Sequence, residues 1–240
     1  MSYSEDLKIF RAAHTYKASI VEGSTFHYVL SGKKDGKTLV LLNGGMNTMG
    51  MWMGYVDALS SDYQVLLFDY PQELRTNQEL VRGMHAFFQE LGITQPVFVG
   101  ASDGGMVAQS NYEKMKPKLI KAGMSHIRNE SKEEIAYAQD MFETIFKDYK
   151  QEKDVHISSL LADLMNQKPV TADDFAQLKG NILLILPDQD FFSGEMQKNL
   201  IQLMHNPEIQ YVSGGHLSTV LKVDAYVRTI RDFLSKHQGK

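Results

Sequence analysis

Gly100-Ala101-Ser102-Asp103-Gly104 fits G-x-S-x-G, the pattern of a serine held on a sharp turn between a strand and a helix. The pattern alone is cheap, because Gly and Ser are common. Its setting here is more specific. The apolar stretch 96–99 comes directly before it, and a helical pattern through Met106, Val107 and Tyr112, halting before Pro117, comes directly after. Small residues on either side let such a turn form without clashes. The turn exposes the Ser102 hydroxyl, and the following helix points its positive end at the reacting centre. The chemistry implied is nucleophilic attack by Ser102. A glycine-rich turn with an idle serine is the plainer alternative, and it accounts less well for the flanking strand and helix.

An alcohol nucleophile needs a base and a group to orient that base, and after such a turn they follow in the order acid, then histidine. The chain has eight histidines. His14 and His27 precede the serine, His85 falls mid-helix and His237 lies in the tail. His216 differs, because it follows an apolar strand at 209–212 through Ser213-Gly214-Gly215 and leads into the last helix. A flexible Gly-Gly pair there suits a loop that brings imidazole over a serine; a surface-loop histidine is the alternative. The acid is sought at the exit of the preceding strand, 182–186, which runs into Pro187-Asp188-Gln189-Asp190. Asp190 is the expected acid, with Phe191 and Phe192 behind it to shield an Asp–His bond. Asp188, following proline, is expected to cap the turn or face solvent.

A tetrahedral intermediate also needs donors for its oxyanion. The strand at 38–42 runs into Asn43-Gly44-Gly45-Met46, and a glycine pair at a strand exit lets backbone N–H groups aim at a substrate oxygen. One donor is assigned to the Gly45 N–H and the second to the N–H of Asp103, whose side chain is read as a first-turn acid complementing the helix dipole. Met46, Met49, Met51, Trp52 and Met53 cluster just beyond, and two readings stay open for them: an adaptable acyl pocket or helix core. His126 is read as facing the cleft or, more plainly, as a hinge.

The elements that must position these residues alternate as short apolar runs and longer periodic segments, the pattern of a largely parallel α/β sheet. Strands are predicted at 25–30, 38–42, 64–68, 97–99, 119–124, 182–186 and 209–212. Thr76-x-x-Glu79 is a capping box for a helix bearing Leu80, Met84, Phe87, Phe88 and Leu91, with Gly92 as a stop. Val220, Leu221, Val223, Val227, Ile230, Phe233 and Leu234 form one face of a terminal helix expected to pack on the sheet. Between 127 and 179 there is only helical pattern: Ser131-x-x-Glu134 opens a helix with Ile135, Ala138, Met141, Phe142, Ile145 and Tyr149, a second runs over 155–165, and Thr171-x-x-Asp174 starts a third. The many acids of this insertion are read as a solvated face.

At 240 residues and 43% hydrophobic content, the chain is expected to form one domain, 1–240, with the helical insertion at 127–179. A formal net charge of -4 makes nucleic acid an unsuitable partner. No apolar run is long enough to span a bilayer, and residues 1–17 have no signal-like apolar stretch. The absence of cysteine excludes disulfides, thiolate metal sites and a Cys nucleophile. A cytoplasmic location is expected.

Together, Gly100–Gly104, the strand-exit acid and Gly-Gly-His216 resemble the α/β-hydrolase superfamily over nearly the whole chain. That resemblance implies a mostly parallel sheet of about eight strands with a small helical cap, here 127–179, over the active site. It also places the acid three residues beyond a small turn residue, which counted from Pro187 is Asp190. The chain departs from the family pattern in having Asn43-Gly44 where His-Gly is usual, Pro187 where Gly is common, and Asp69-Tyr70-Pro71 without the usual glycine-rich continuation. The expected activity is hydrolysis of a small carboxylic ester through an acyl-enzyme, with no cofactor and no metal. The alternatives are an amidase or peptidase, an acyltransferase on the same triad, or a ligand receptor or interaction module with slow or no turnover. Ser102 argues against family members whose nucleophile is Asp.

Overall fold

In the computed structural model the apolar runs become buried strands. It describes residues 1–44, 47–101, 130–147, 181–190, 194–204 and 207–237, with helical positions 156, 159–160, 162–163, 166 and 172–173. These fall into two compact units, Met1–Ile120 with Ala136–Gln167, and Lys121–Ile135 with Lys168–Lys240. The segment 127–179 contributes residues to both.

In the first unit β3 (Thr38–Leu42) lies between β4 (Gln64–Asp69) and β5 (Val97–Gly100), parallel to both. Leu39, Val40 and Leu41, and Val65 to Phe68 beside them, are fully buried, as parallel strands covered on both faces require. β2 (Ser24–Gly32) pairs antiparallel with β4, and β1 (Lys17–Val21) antiparallel with β2, giving the order β1-β2-β4-β3-β5. Glu22 and Gly23, with φ of 48° and 82°, form the two-residue turn whose twist suits that hairpin.

α1 (Tyr3–Ala13), absent from the sequence expectations, opens on a capping box of Ser2 and Glu5 and buries Tyr3, Leu7 and Phe10 one and two turns apart. A 3₁₀ turn, Met49–Trp52, runs into α2 (Met53–Leu59). Met49, Trp52 and Met53 are buried there, with the Trp52 ring edge-on to Tyr55, which favours the core reading for these three; Met46 lies outside the described residues. α3 (Asn77–Glu90) starts at Thr76 with both capping-box bonds made. Its Phe87 stacks on Phe26, centroids 4.3 Å apart at 12°, within a cluster that includes Tyr28, Val40, Leu66, Phe68 and Phe88. Burying one such ring contributes about 1.5–3 kcal/mol. α4 (Lys132–Lys147) is capped by Ser131 and Glu134 and buries Ala138, Met141, Phe142 and Ile145.

The second unit pairs β6 (Leu183–Pro187) in parallel with β7 (Glu208–Val212), connected through α5 (Gly194–Leu203). α6 (Ser218–Leu221) and α7 (Val223–Lys236) follow. α7 packs against β7 and buries Tyr226, Val227, Ile230 and Leu234. The strand predicted at 119–124, the helix after Gly104, and most of the helices predicted at 155–165 and after Thr171 lie outside the described residues. Among the described residues no helix is long and apolar enough to cross a membrane.

Candidate active site

Ser102, Asp103 and Gly45 lie outside the described residues, as does His126. Their approaches do not. Leu42, the last residue of β3, is in register with Gly100, the last of β5, and the Ala101 N–H donates to Leu42 O at 3.4 Å. The segment beginning Asn43-Gly44 and the segment beginning Ala101 therefore leave adjacent parallel strands at the same end.

The turn after β3 is closed by side-chain amides. Asn43 and Asn47 are both buried, and Asn47 holds a left-handed backbone at φ 39°. Asn43 Nδ2 spends its two hydrogens on Asn47 Oδ1 at 3.2 Å and Phe68 O at 2.8 Å. Asn47 Oδ1 also accepts the Tyr70 N–H at 2.9 Å, while its Nδ2 donates to Tyr70 O at 3.2 Å. The Tyr70 hydroxyl donates to Asn43 O at 2.8 Å, and the Asn47 N–H to Gly44 O at 2.9 Å. Asn43 Oδ1 is buried with no partner among the described residues. Burial pushes the Tyr70 phenol up, against a smaller lowering by its bond to Asn43 O, so it remains a neutral donor. The sequence signal for this network was the Asn43-x₃-Asn47 spacing after a strand; Tyr70 carried none.

In the second unit Asp190 and His216 meet. His216 Nδ1 lies 3.1 Å from both Asp190 carboxylate oxygens. The Asp190 side chain is 7% exposed and that of His216 is 23% exposed, so the carboxylate is shielded while the ring stays partly exposed. A carboxylate on Nδ1 holds the proton there and leaves Nε2 as the acceptor. Asp188 does different work: its Oδ1 accepts the Gly214 N–H at 2.9 Å and closes the turn.

Gly214 and Gly215 are buried, and a third carboxylate explains them. Gly214 has φ 124°, and a Cβ there would lie 2.8 Å from Glu130 Oε1 and 3.3 Å from Ser218 Cβ. The Gly215 N–H donates to the same Glu130 oxygen at 3.4 Å, and the Ser218 N–H to Gly215 O at 2.9 Å. The glycine pair thus supplies a left-handed backbone and a close approach rather than looseness. Below it the Ser218 hydroxyl and the Tyr226 phenol share a 2.8 Å bond; burial pushes that phenol up, the Ser218 bond lowers it and the Asp190 charge raises it.

Reading the insertion's acids as a solvated face fails at several positions. Glu130 takes Gly215, Asp140 accepts the Ser4 N–H at 2.6 Å, and Asp163 accepts the Asn77 N–H at 2.8 Å. The Ser4 bond holds the Asp140 carboxyl below its usual range, and the Lys222 ammonium at 2.6 Å does the same for Glu134. These N–H partners are distant in sequence, so composition alone hides them.

No family model matches the chain, and no curated protein matches its sequence. Solved structures do. An enol-lactonase from Burkholderia xenovorans LB400 is similar with a TM-score of 0.73 at 17% identity, over 91% of this chain and 100% of that one. The carboxylesterase CesB from Bacillus subtilis gives 0.71 at 17% identity, over 97% and 95%. An α/β-hydrolase enzyme, MGS-M2, from a Medee basin deep-sea metagenome library gives 0.66 at 17%, over 93% and 98%. At these identities the likeness is one of architecture, and it agrees with the strand order and parallel pairing described above: the chain has the α/β-hydrolase fold.

Proposed function

We propose that the chain is a serine hydrolase that cleaves a small carboxylic ester through an acyl-enzyme. The observation that carries the reading is the Asp190–His216 pair, 3.1 Å apart at the exits of β6 and β7, in a chain whose G-x-S-x-G serine follows directly on β5. Similarity in fold to a carboxylesterase and an enol-lactonase supports an ester as substrate.

In this mechanism Ser102 Oγ attacks the ester carbonyl carbon while His216 Nε2 takes its proton. Asp190 keeps the imidazole proton on Nδ1 and stabilises the imidazolium. The carbonyl π electrons move onto oxygen, where the Gly45 and Asp103 N–H groups receive the charge. Collapse breaks the ester C–O bond, and the alkoxide leaves with the His216 proton. Water then repeats the sequence on the acyl-serine, giving the acid and free Ser102. Neither metal nor cofactor enters these steps. The segment 127–179 acts as a helical cap over the acyl chain.

The test is covalent. A fluorophosphonate should add once per chain, at Ser102, and p-nitrophenyl acetate should turn over, with Ser102→Ala losing both label and about 10⁴–10⁶ in kcat. Unchanged hydrolysis by Ser102→Ala refutes the mechanism. Stoichiometric acylation without turnover points to a receptor instead, and preference for amides or for an alcohol acceptor to an amidase or acyltransferase.

A further inference from the structure

We propose that Tyr226 is a positioning residue for the catalytic base: through its bond to Ser218 it fixes the turn whose corner carries His216. The proposal rests on the serine-hydrolase reading, and it concerns what holds the imidazole in place rather than which proton it takes.

His216 stands at the corner of a four-residue turn, Gly215 to Ser218, closed by the Ser218 N–H on Gly215 O at 2.9 Å. The ring is partly exposed, so its aim depends on the backbone that carries it as well as on Asp190. Each end of the turn is held by a side chain from outside it. At the Gly215 end the Glu130 carboxylate accepts the N–H over 3.4 Å. At the Ser218 end the hydroxyl and the Tyr226 phenol lie 2.8 Å apart, with both side chains buried. The phenol makes the shorter of the two ties.

Ser218 is not engaged by the helix it begins. The cap position of α6 falls on Leu217, which makes no side-chain bond to the helix. A serine serving only to start α6 would sit one residue earlier, with its oxygen on a first-turn N–H. The hydroxyl turns instead to the first turn of α7, a helix that packs against β7 and buries Tyr226 beside Val227 and Ile230. The support closes on itself: β7 leads into the turn, the turn into α6, and α7 ties back to both β7 and Ser218. Burial pushes the Tyr226 phenol up, the Ser218 bond lowers it and the Asp190 charge raises it, so Tyr226 stays a neutral hydroxyl within the field of the Asp190–His216 pair. A phenylalanine and an alanine would fill the same space with no hydroxyl to dehydrate. Holding the turn is what the polar pair adds.

That exchange supplies the experiment. Tyr226→Phe and Ser218→Ala each leave one buried hydroxyl without its partner, whereas the double variant removes both and should regain most of the lost stability. For all three, kcat and KM are measured with p-nitrophenyl acetate, together with Tm and the proton resonance of His216 Nδ1–H, which a carboxylate partner draws far downfield. A pair that only supports the fold lets Tm and kcat fall together in the single variants and return together in the double. Positioning separates them: Tm returns in the double variant and kcat does not. The kcat loss should be about 5- to 50-fold in all three, less than the 100-fold that a misplacement of about 1 Å can cost. His216 serves acylation and deacylation alike, so both steps slow and KM should stay within about twofold. The Nδ1–H resonance should shift or broaden in each variant. Parental kcat in the double variant, a loss confined to KM, or an unmoved His216 resonance overturns the proposal. Should a single variant not fold, the double decides, and a double variant no more stable than the singles makes the pair structural and overturns it too. Absence of fluorophosphonate labelling at Ser102 in the unsubstituted chain refutes the serine reading and this proposal with it. Normal labelling there, with parental kcat in the double variant, refutes this proposal alone.

Discussion

Two carboxylates stand two residues apart at the exit of β6, and isosteric replacement should separate them by orders of magnitude. Asp190 places both oxygens 3.1 Å from His216 Nδ1, whereas Asp188 spends its Oδ1 on the Gly214 N–H. In Asp190→Asn the new amide keeps the shape of the carboxylate but carries an NH₂ group. Where that NH₂ faces the ring, His216 must accept on Nδ1 and hold its proton on Nε2, and so is unable to take one from Ser102. The serine-protease precedent for this substitution is about 10⁴ in kcat, through the wrong tautomer, or about 5.4 kcal/mol of barrier. Asp190 is shielded but His216 keeps some exposure, so water can satisfy a misplaced ring, and the expected loss widens to about 10²–10⁴. Asp188→Asn retains an acceptor for Gly214 and should stay within about tenfold. The assay is initial-rate hydrolysis of p-nitrophenyl acetate near pH 8, with circular dichroism and Tm confirming that both variants fold. A crippled Asp188→Asn beside a near-normal Asp190→Asn refutes the assignment of the acid while leaving the Ser102–His216 pair intact.

Gly214→Ala places a methyl group 2.8 Å from Glu130 Oε1 at a φ that alanine rarely adopts, so it should cost about 1–3 kcal/mol in stability and depress kcat, read by denaturant melts and rates; a neutral variant refutes the close-approach account. Glu130→Ala frees the Gly215 N–H and should lower kcat about 3- to 10-fold, while Glu130→Gln, which keeps an acceptor, should lie nearer the parent; equal losses refute a role through that bond. Asp140 has its pKa depressed by the Ser4 N–H, so its stabilising contribution is complete above the unfolded value of about 3.9 and is lost as pH falls through the depressed one. The Tm gap between the parent and Asp140→Ala should therefore be present at pH 7 and close toward pH 3; a gap independent of pH refutes the linkage.

What was legible in the sequence followed from local rules. The Thr76-x-x-Glu79 box and the spacing of Leu80, Phe87 and Phe88 report a helix because cap and stripe lie within the helix itself. The same signals mark α1, as Ser2-x-x-Glu5 and the spacing of Tyr3, Leu7 and Phe10. β1 had no such signal. Lys17-Ala-Ser-Ile-Val21 sits at an edge with an exposed or half-buried side chain at every position, and its strand character comes from β2 and the Glu22-Gly23 turn. Nor does periodicity reveal what Met141 does. It is fully buried, so shortening it tests core stability before it tests any acyl-chain preference.

The meeting of Asp190 with His216 shows how a strand register sets a site. Along the ladder Leu183 pairs with Glu208 and Pro187 with Val212 at a constant offset. Beyond it side chains join the two exits: Asp188 Oδ1 accepts the Gly214 N–H, and Asp190 meets His216. The chain leaving β7 turns at Gly214, whose backbone is left-handed at φ 124°, a conformation that favours glycine. The carboxylates of Asp188 and Glu130 fix that turn by taking the Gly214 and Gly215 N–H groups. The Gly-Gly pair, the two strand-exit acids and the half-buried Glu130 are thus parts of one device, of which the sequence displayed the pieces in the second unit without the long-range contact that joins them.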